Sequence, residues 1–340
     1  MALSFCTFNI NNLYTRYRFG KKIPGERGQK STASDTEPGH PVPVTPKLFS
    51  VTGKVKRNLA ALAIAGESGR YPDVLCLQEV ESLPALRRFA TEHLHAAYPY
   101  AFLVESRDTR RIHTGILSKR PLRCIRSHLD LPDPAGSYLF PRDCLQVEVM
   151  AGDDLGENLT LFINHFKSGL EKEPGAAREA SAFREQQAEG VLEILRGEYP
   201  GPAFDAGLFA VIGDLNDHPD SDSLRPLTRE SGLVDALERI GDPRERWTYW
   251  LRKKNSVFQF DYILLSPRLD EISRDHPPRI ERRGIGFRRY VKKKLQGPKR
   301  VYLLQPGKPE PGRIDFQFDR FPDVTPKVQA SDHCPIVVTV

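Results

Sequence analysis

Cysteine, methionine and tryptophan are scarce in this chain, with five, two and two among 340 residues. The five cysteines, Cys6, Cys76, Cys124, Cys144 and Cys334, are odd in number, widely spaced and mostly set among apolar neighbours. That pattern argues against a disulfide framework or a thiolate zinc site and fits buried free thiols in a reducing compartment. No run approaches the roughly 18 apolar residues of a membrane span, and asparagines interrupt the opening MALSFCTFNINNLY before a signal-peptide core can form. The expectation is a cytoplasmic protein with no membrane association and no obligate protein partner. Internal repeats are also lacking.

What is present is a globular composition, 39% hydrophobic, enough for a substantial core in a chain of this length. The net charge of +6 is modest and is concentrated late. The segment 281–300, ERRGIGFRRYVKKKLQGPKR, carries nine Lys or Arg against one Glu, with Phe287 and Tyr290 interleaved. A run of this kind is either a solvated basic loop or a surface that meets phosphates and bases.

Short runs rich in β-branched and aromatic residues predict strands at Leu3–Ile10, Asp73–Gln78, Tyr100–Val104, Thr114–Ser118, Cys144–Val149, Leu159–Asn164, Leu208–Ile212, Phe260–Leu265 and Pro335–Val340. Apolar residues at helical spacing predict helices over Lys54–Ala65, Leu83–His93 and Ala176–Arg196, the last entered through Pro174 and Gly175. The stretches 16–46 and 273–327, rich in Gly, Pro and basic residues, read as long irregular insertions, and loops of that length are commonly functional or mobile. Because apparent strands continue to the last residue, the sequence favours one α/β domain closed by its own C-terminal strand.

Polar clusters stand at the ends of the apolar strands: TFNINN with Asn9 and Asn11, LCLQEVE with Glu79, FINHFKS with Asn164 and His165, VIGDLND with Asp214 and Asn216, FDYILLS with Asp261, and ASDHCPIV with Asp332 and His333. Taken singly, each has an ordinary explanation as a helix cap, an Asx turn or a hydrogen-bonded core histidine. Together they form a set of carboxylates, amides and histidines without thiolates. Hard oxygen donors of this kind suit Mg2+ or Mn2+, ions that keep several waters and are completed by phosphate oxygens.

In this order the elements resemble the signature of the endonuclease/exonuclease/phosphatase (DNase I-like) superfamily: Asn9, Gln78-Glu79, Asn164-His165, Gly213-Asp214-Leu215-Asn216, Asp261 and Ser331-Asp332-His333. The resemblance runs from residue 3 to residue 340. It implies a four-layer α/β sandwich, two packed mixed β-sheets flanked by helices, and a metal-dependent phosphoric ester hydrolase. It also implies that Glu79 is the principal ligand of the ion, with Asn9 and Asp332 assisting. Asp214, with Asn216, corresponds to the group that orients and deprotonates the attacking water. His333, held by Asp261, forms a dyad, and His165 faces the scissile phosphate. Asn11, Asn164 and Arg142 are expected at the substrate. Asp108 or Glu105 would orient His165, and Tyr100 and Tyr138 are the candidates for the tyrosine some relatives use.

The inositol phosphatases of the superfamily carry W-C-D-R-I-L where this chain reads WTYWLRKKNSVFQFDYILLS, which disfavours that class. The basic insert suits a polyanion, so the expected substrate is DNA or RNA. The alternatives are a small-molecule or lipid-headgroup phosphoester and, further off, a non-catalytic binding protein on the same fold.

Overall fold

A computed structural model describes residues 2–18, 47–49, 53–169, 176–253, 256–287, 299–303, 312–316 and 319–340. In chain order the elements are β1 (Ser4–Leu13), β2 (Arg16–Arg18), β3 (Lys47–Phe49), α1 (Lys54–Ala65), β4 (Val74–Val80), α2 (Leu83–His93), β5 (Tyr100–Leu103), β6 (His113–Ser118), β7 (Leu122–Arg126) and β8 (Cys144–Val149). There follow α3 (Gly152–Leu155), β9 (Leu159–His165), α4 (Ala176–Glu198), α5 (Ala203–Ala206), β10 (Phe209–Asp214), α6 (Arg225–Thr228), β11 (Val234–Asp235), β12 (Tyr249–Leu251), β13 (Ser256–Phe258) and β14 (Asp261–Leu265). The last are α7 (Pro267–Ser273), β15 (Arg279–Ile280), β16 (Lys299–Leu303), β17 (Gly312–Phe316) and β18 (Ile336–Thr339).

Alternation of side chains along a strand gives each sheet two faces, and here both faces of both large sheets are apolar. One sheet has the order β15-β18-β1-β4-β6-β5 and the other β11-β14-β10-β9-β8-β7. Phe5, Val74 and Ile116 of the first meet Leu145, Leu161, Ile163, Ala210, Ile212 and Ile263 of the second in a fully buried core between the sheets. The opposite face of the first sheet, Cys6, Phe8, Leu75 and Leu77, is covered by Ala60 and Ile64 of α1 and by Leu86 and Phe89 of α2. The opposite face of the second, Phe162, Phe209, Val211 and Leu264, is covered by Ala188, Val191 and Leu195 of α4. The result is helix, sheet, sheet, helix, the four-layer arrangement expected. Local signals agree with it, since the Ser82 hydroxyl caps α2 by accepting the Ala85 N–H at 3.3 Å, and Gly66, at φ +61°, ends α1.

The predicted helices Lys54–Ala65 and Leu83–His93 and the predicted strand Cys144–Val149 coincide with the observed elements. The other predicted strands agree to within a few residues at their ends. The reading of 273–327 as irregular is corrected in its described parts. There β15 adds an edge strand beside β18, and Ile285 and Phe287 pack with Trp247, Trp250, Val257 and Cys334 in a core of their own. Strands β16 and β17 pair antiparallel and extend β13 into a four-stranded sheet. Phe287 is therefore a core residue and not a surface aromatic, Arg282 stacks over Trp247, and Arg283 pairs with Glu281. The remainder of the basic run, 288–298 with Tyr290, lies outside the described residues, as does most of 16–46. Among the described residues no helix is long and apolar enough to cross a membrane.

Candidate active site

Pairing between strands places the polar residues at one edge of the sandwich. In β10 the register sets Asp214 opposite His165 of the parallel strand β9 and opposite Asp261 of the antiparallel strand β14. Directly paired residues share a face, so His165, Asp214 and Asp261 form a row, on the face that Ala210 and Ile212 turn toward the other sheet. Gly213 makes the close passage possible: at its φ of +142° a Cβ would lie 1.9 Å from the carbonyl oxygen of Asn164. From the facing sheet, β1 delivers Asn9, and the segment before β18 delivers Asp332 and His333.

Asp214 is the hub. Its Oδ2 accepts from Asn9 Nδ2 at 2.9 Å and lies 3.6 Å from His165 Nε2 and 3.7 Å from His333 Nε2. Its Oδ1 accepts the Asn216 backbone N–H at 3.0 Å. Burial raises its pKa, a shift that the positive His333 opposes and the Asp261 carboxylate reinforces. His333 Nδ1 is 2.8 Å from Asp261 Oδ2. Burial alone would lower the pKa of His333, but Asp261 and Asp214 outweigh it and hold the imidazole protonated. His165 moves the other way: burial, then the positive charges of Arg142, His333 and Arg110, keep its ring neutral. The edge thus carries a poised carboxylate between one charged and one neutral imidazole.

A second group of oxygens stands beside this row. Glu79 occupies an irregularity in β4, where the register with both neighbouring strands shifts, and takes φ +63°. A bulge of this kind re-aims a side chain that regular pleating would send elsewhere. Burial raises the Glu79 pKa, and the Asp332 carboxylate adds to the rise. Asn11, also at positive φ (+53°), donates Nδ2 to Asp332 Oδ1 at 2.6 Å, and its backbone N–H goes to Asn9 Oδ1 at 3.0 Å. Two partly buried carboxylates and an amide oxygen that repel one another in the absence of a cation are the donor set a hard divalent ion takes. Oxygen and imidazole atoms of Asp214, Asp261 and His333 also lie within 4.8 Å of one another, but their hydrogen bonds commit them to the dyad. Glu79 and Asp332, with Asn9 Oδ1, are the residues that would hold the ion.

Other expected residues are used differently. Asn164 is fully buried on the far side of β9, where its Nδ2 donates to the Phe162 carbonyl at 3.0 Å, so it presents nothing to the cleft. Adjacent residues of a strand face opposite ways, and His165 took the cleft side. Arg142 is turned inward: its Nε donates to Asp108 at 2.9 Å and its Nη1 to the Phe166 carbonyl at 2.8 Å. It fastens the loop after His165 and acts on the site as a nearby charge. The Asn216 side chain reaches the same carbonyl at 3.1 Å. Asp108 serves Arg142 and Arg110, and neither it nor Glu105 pairs with His165, whose Nδ1 is buried with no hydrogen-bond partner among the described residues. Tyr100 pairs with Ser118 at the far end of β6, and Tyr138 is an exposed ring under the Arg107 guanidinium. The tyrosine at the site is Tyr249, whose ring lies 4.6 Å from that of His333.

Several participants carry no motif. Thr248 and the strand β12 that follows it strap the dyad together: the Thr248 hydroxyl accepts the N–H of Asp261 at 3.0 Å, the Thr248 carbonyl accepts that of Cys334 at 2.6 Å, and Trp250 N–H donates to the Asp332 carbonyl at 2.8 Å. Ser331 Oγ donates to the Asn9 carbonyl at 2.7 Å and accepts the His333 N–H at 3.1 Å, so one serine joins β1 to the dyad. Lys56 of α1 donates Nζ to the Asn11 carbonyl at 2.6 Å and lies in the field of Asp332 and Glu79. Arg110, more than half exposed, adds positive charge felt by Glu79 and His165. The position of Lys56 in a helical repeat gave no hint of this, whereas the WTYW run before Asp261 was a signal that could have been followed.

The fold and this edge of carboxylates and imidazoles define a hydrolase of phosphoester bonds. The family model "Endonuclease/Exonuclease/phosphatase family" matches residues 6–333, and the chain belongs to that family. The family is generally dependent on a divalent metal ion, in keeping with the donors found here. Truncated TDP2 of Caenorhabditis elegans is similar in structure, with a TM-score of 0.53 at 18% identity over 99% of this chain and 96% of that one. Sphingomyelinase C of Streptomyces griseocarneus matches with a TM-score of 0.53 at 16% identity over 100% and 99%. A 3'-5' exonuclease of Neisseria meningitidis matches with a TM-score of 0.52 at 12% identity over 99% and 98%. At such identities the likeness is one of fold. No curated protein matches the chain in sequence.

Proposed function

We propose that the chain is a magnesium-dependent nuclease, Mn2+ being the natural substitute, that hydrolyses phosphodiester bonds of DNA or RNA by in-line attack of water. The observation that carries the reading is the Asp214 carboxylate, with Asn9, His165 and His333 all within 3.7 Å of one oxygen. Asp214 orients the water and takes its proton, and Asn9 and the Asn216 N–H fix the carboxylate for that task. His333, kept positive by Asp261, donates to a non-bridging phosphoryl oxygen. Neutral His165 supplies a further donor to the charge that builds in the pentacovalent state. Bound at Glu79, Asp332 and Asn9, the ion supplies Lewis-acid stabilisation of charge on the phosphoryl and leaving oxygens. Arg110, in the exposed turn that follows Asp108, is placed to meet a neighbouring phosphate.

A second reading, a small-molecule or lipid-headgroup phosphoester, is favoured by one observation: the described part of the basic run turns inward, with Phe287 in a core and Arg282 and Arg283 paired internally. A panel of single- and double-stranded DNA, RNA and small phosphoesters, assayed with and without Mg2+ over a range of salt, separates the two. Nuclease action requires metal-dependent cleavage of nucleic acid with binding that weakens steeply as salt rises. Turnover of small esters alone, with little salt dependence, replaces the nuclease by the second reading.

A further inference from the structure

Lys56 occupies the first turn of α1, where the helix dipole disfavours a cation and where no acidic residue of the helix offsets it. Its ammonium group is partly buried and is anchored on the Asn11 carbonyl at 2.6 Å. Asn11 in turn donates to Asp332 at 2.6 Å, so the lysine is one residue removed from the carboxylates assigned to the ion. The opposite charges that act most strongly on it are Asp332 and Glu79. The cations that act most strongly on Glu79 are His333, Arg142 and Arg110, and each has a carboxylate of its own in Asp261 or Asp108. Lys56, which makes no ion pair of its own among the described residues, is a further cation in the field of Asp332 and Glu79.

We propose that Lys56 is an internal counter-cation of the Glu79 and Asp332 pair, which holds the two carboxylates together when no ion is bound and lowers their affinity for a divalent ion when one arrives. The physical basis is elementary. Two like charges brought together and partly desolvated need a positive charge between or beside them, and a tethered ammonium provides it without an ion. A divalent ion entering the same field meets that ammonium at close range, and the repulsion is subtracted from its binding energy. The exchange matters for the chain's own economy of charge: the folded edge does not depend on metal, and the ion stays replaceable. The inference rests on Glu79 and Asp332 being the ion's ligands, and its test has one arm that needs no ion.

In that arm, thermal unfolding is measured in excess chelator for wild type, Lys56→Gln, Lys56→Arg, Glu79→Gln and the Lys56→Gln/Glu79→Gln double variant. The expected result is a lower midpoint for Lys56→Gln, a midpoint near wild type for Lys56→Arg, and a smaller loss from Lys56→Gln in the Glu79→Gln background than in wild type. Additive losses, or a loss in Lys56→Arg equal to that in Lys56→Gln, overturn the proposal. In the second arm, Mn2+ is titrated calorimetrically into wild type, Lys56→Gln and Lys56→Arg. Lys56→Gln is expected to bind the ion about tenfold more tightly, with Lys56→Arg unchanged. Equal or weaker binding by Lys56→Gln overturns the proposal. Absence of Mn2+ binding by every form overturns the competition and, separately, the assignment of the ligands, while the chelator arm still decides the pairing.

Discussion

The hydroxyl of Thr248 accepts the backbone N–H of Asp261 at 3.0 Å, and the backbone carbonyl of the same threonine accepts the N–H of Cys334 at 2.6 Å. A single buried residue thus sets the separation between the two halves of the Asp261 and His333 dyad. Thr248→Val removes the hydroxyl and leaves the Phe260 and Asp261 N–H groups without their acceptor. The expected cost is about 1–3 kcal/mol of stability, read from denaturant unfolding. A fall in kcat with little change in KM is expected beside it, since binding of substrate does not use this hydroxyl.

Asp214→Asn keeps the shape but turns one of two accepting oxygens into a donor and removes the proton acceptor. Turnover is expected to fall on the order of 10³-fold, while affinity for an uncleaved oligonucleotide stays within a few-fold of wild type. Steady-state rates and fluorescence anisotropy check the two halves separately. An Asp214→Asn enzyme of normal rate would sink the proposed chemistry.

The pH profile follows from two shifts of known sign. Asp214 is pushed up to about 7, first by burial, so kcat/KM is expected to drop roughly tenfold per unit as pH falls below that value and the acceptor is protonated. His333 is raised to about 10 because Asp261 and Asp214 overcome its burial, so the alkaline limb comes only when that proton leaves. For stability the signs oppose. The raised carboxylate costs the folded state as pH climbs from its unfolded value to about 7, whereas the raised histidine contributes stability below its unfolded value that is lost as pH approaches 10. Asp261→Asn is expected to move the alkaline limb to lower pH, and a limb left in place would refute the dyad.

Arg142 and Asp108 form a largely buried pair, with 7% and 11% of their side chains exposed. Removing one partner strands the other, so Asp108→Asn is expected to cost about 3 kcal/mol. The double variant Asp108→Asn/Arg142→Met should lose less than the sum of the single losses, which urea unfolding of all four forms will show. If the losses add, the pair does not act as a unit.

Much of the site was legible in the sequence because its ligands must stand at strand ends, and strands declare themselves by their apolar runs. Asn9, Glu79, His165, Asp214, Asp261, Asp332 and His333 reach the same edge in the folded chain. The misreadings share a cause. Asn164 and His165 are adjacent in one strand, and motif reading cannot assign both to one cleft when pleating sends them to opposite faces. Arg142 was read from the resemblance and Phe287 from composition, yet the burial of each was settled by partners distant in sequence, Phe166 and Trp247. Lys56 acts through a backbone carbonyl, which every residue has, and so leaves no mark in a string of side chains, whereas Ser331 stood in the Ser-Asp-His motif and Thr248 in the WTYW run without a role of their own. The α/β class was legible from the apolar runs, whereas the four layers were what the resemblance implied.

Strand β18 lies between β15 and β1, and Ser331 is bonded to Asn9 across 322 residues of chain. The hydrolytic edge is therefore complete only when segments this far apart have met, and β1, already flanked by β4, gains its second neighbour with β18. A chain interrupted between Asn9 and Asp332 separates the donors of one site, so the edge is a property of the joined segments and of neither alone.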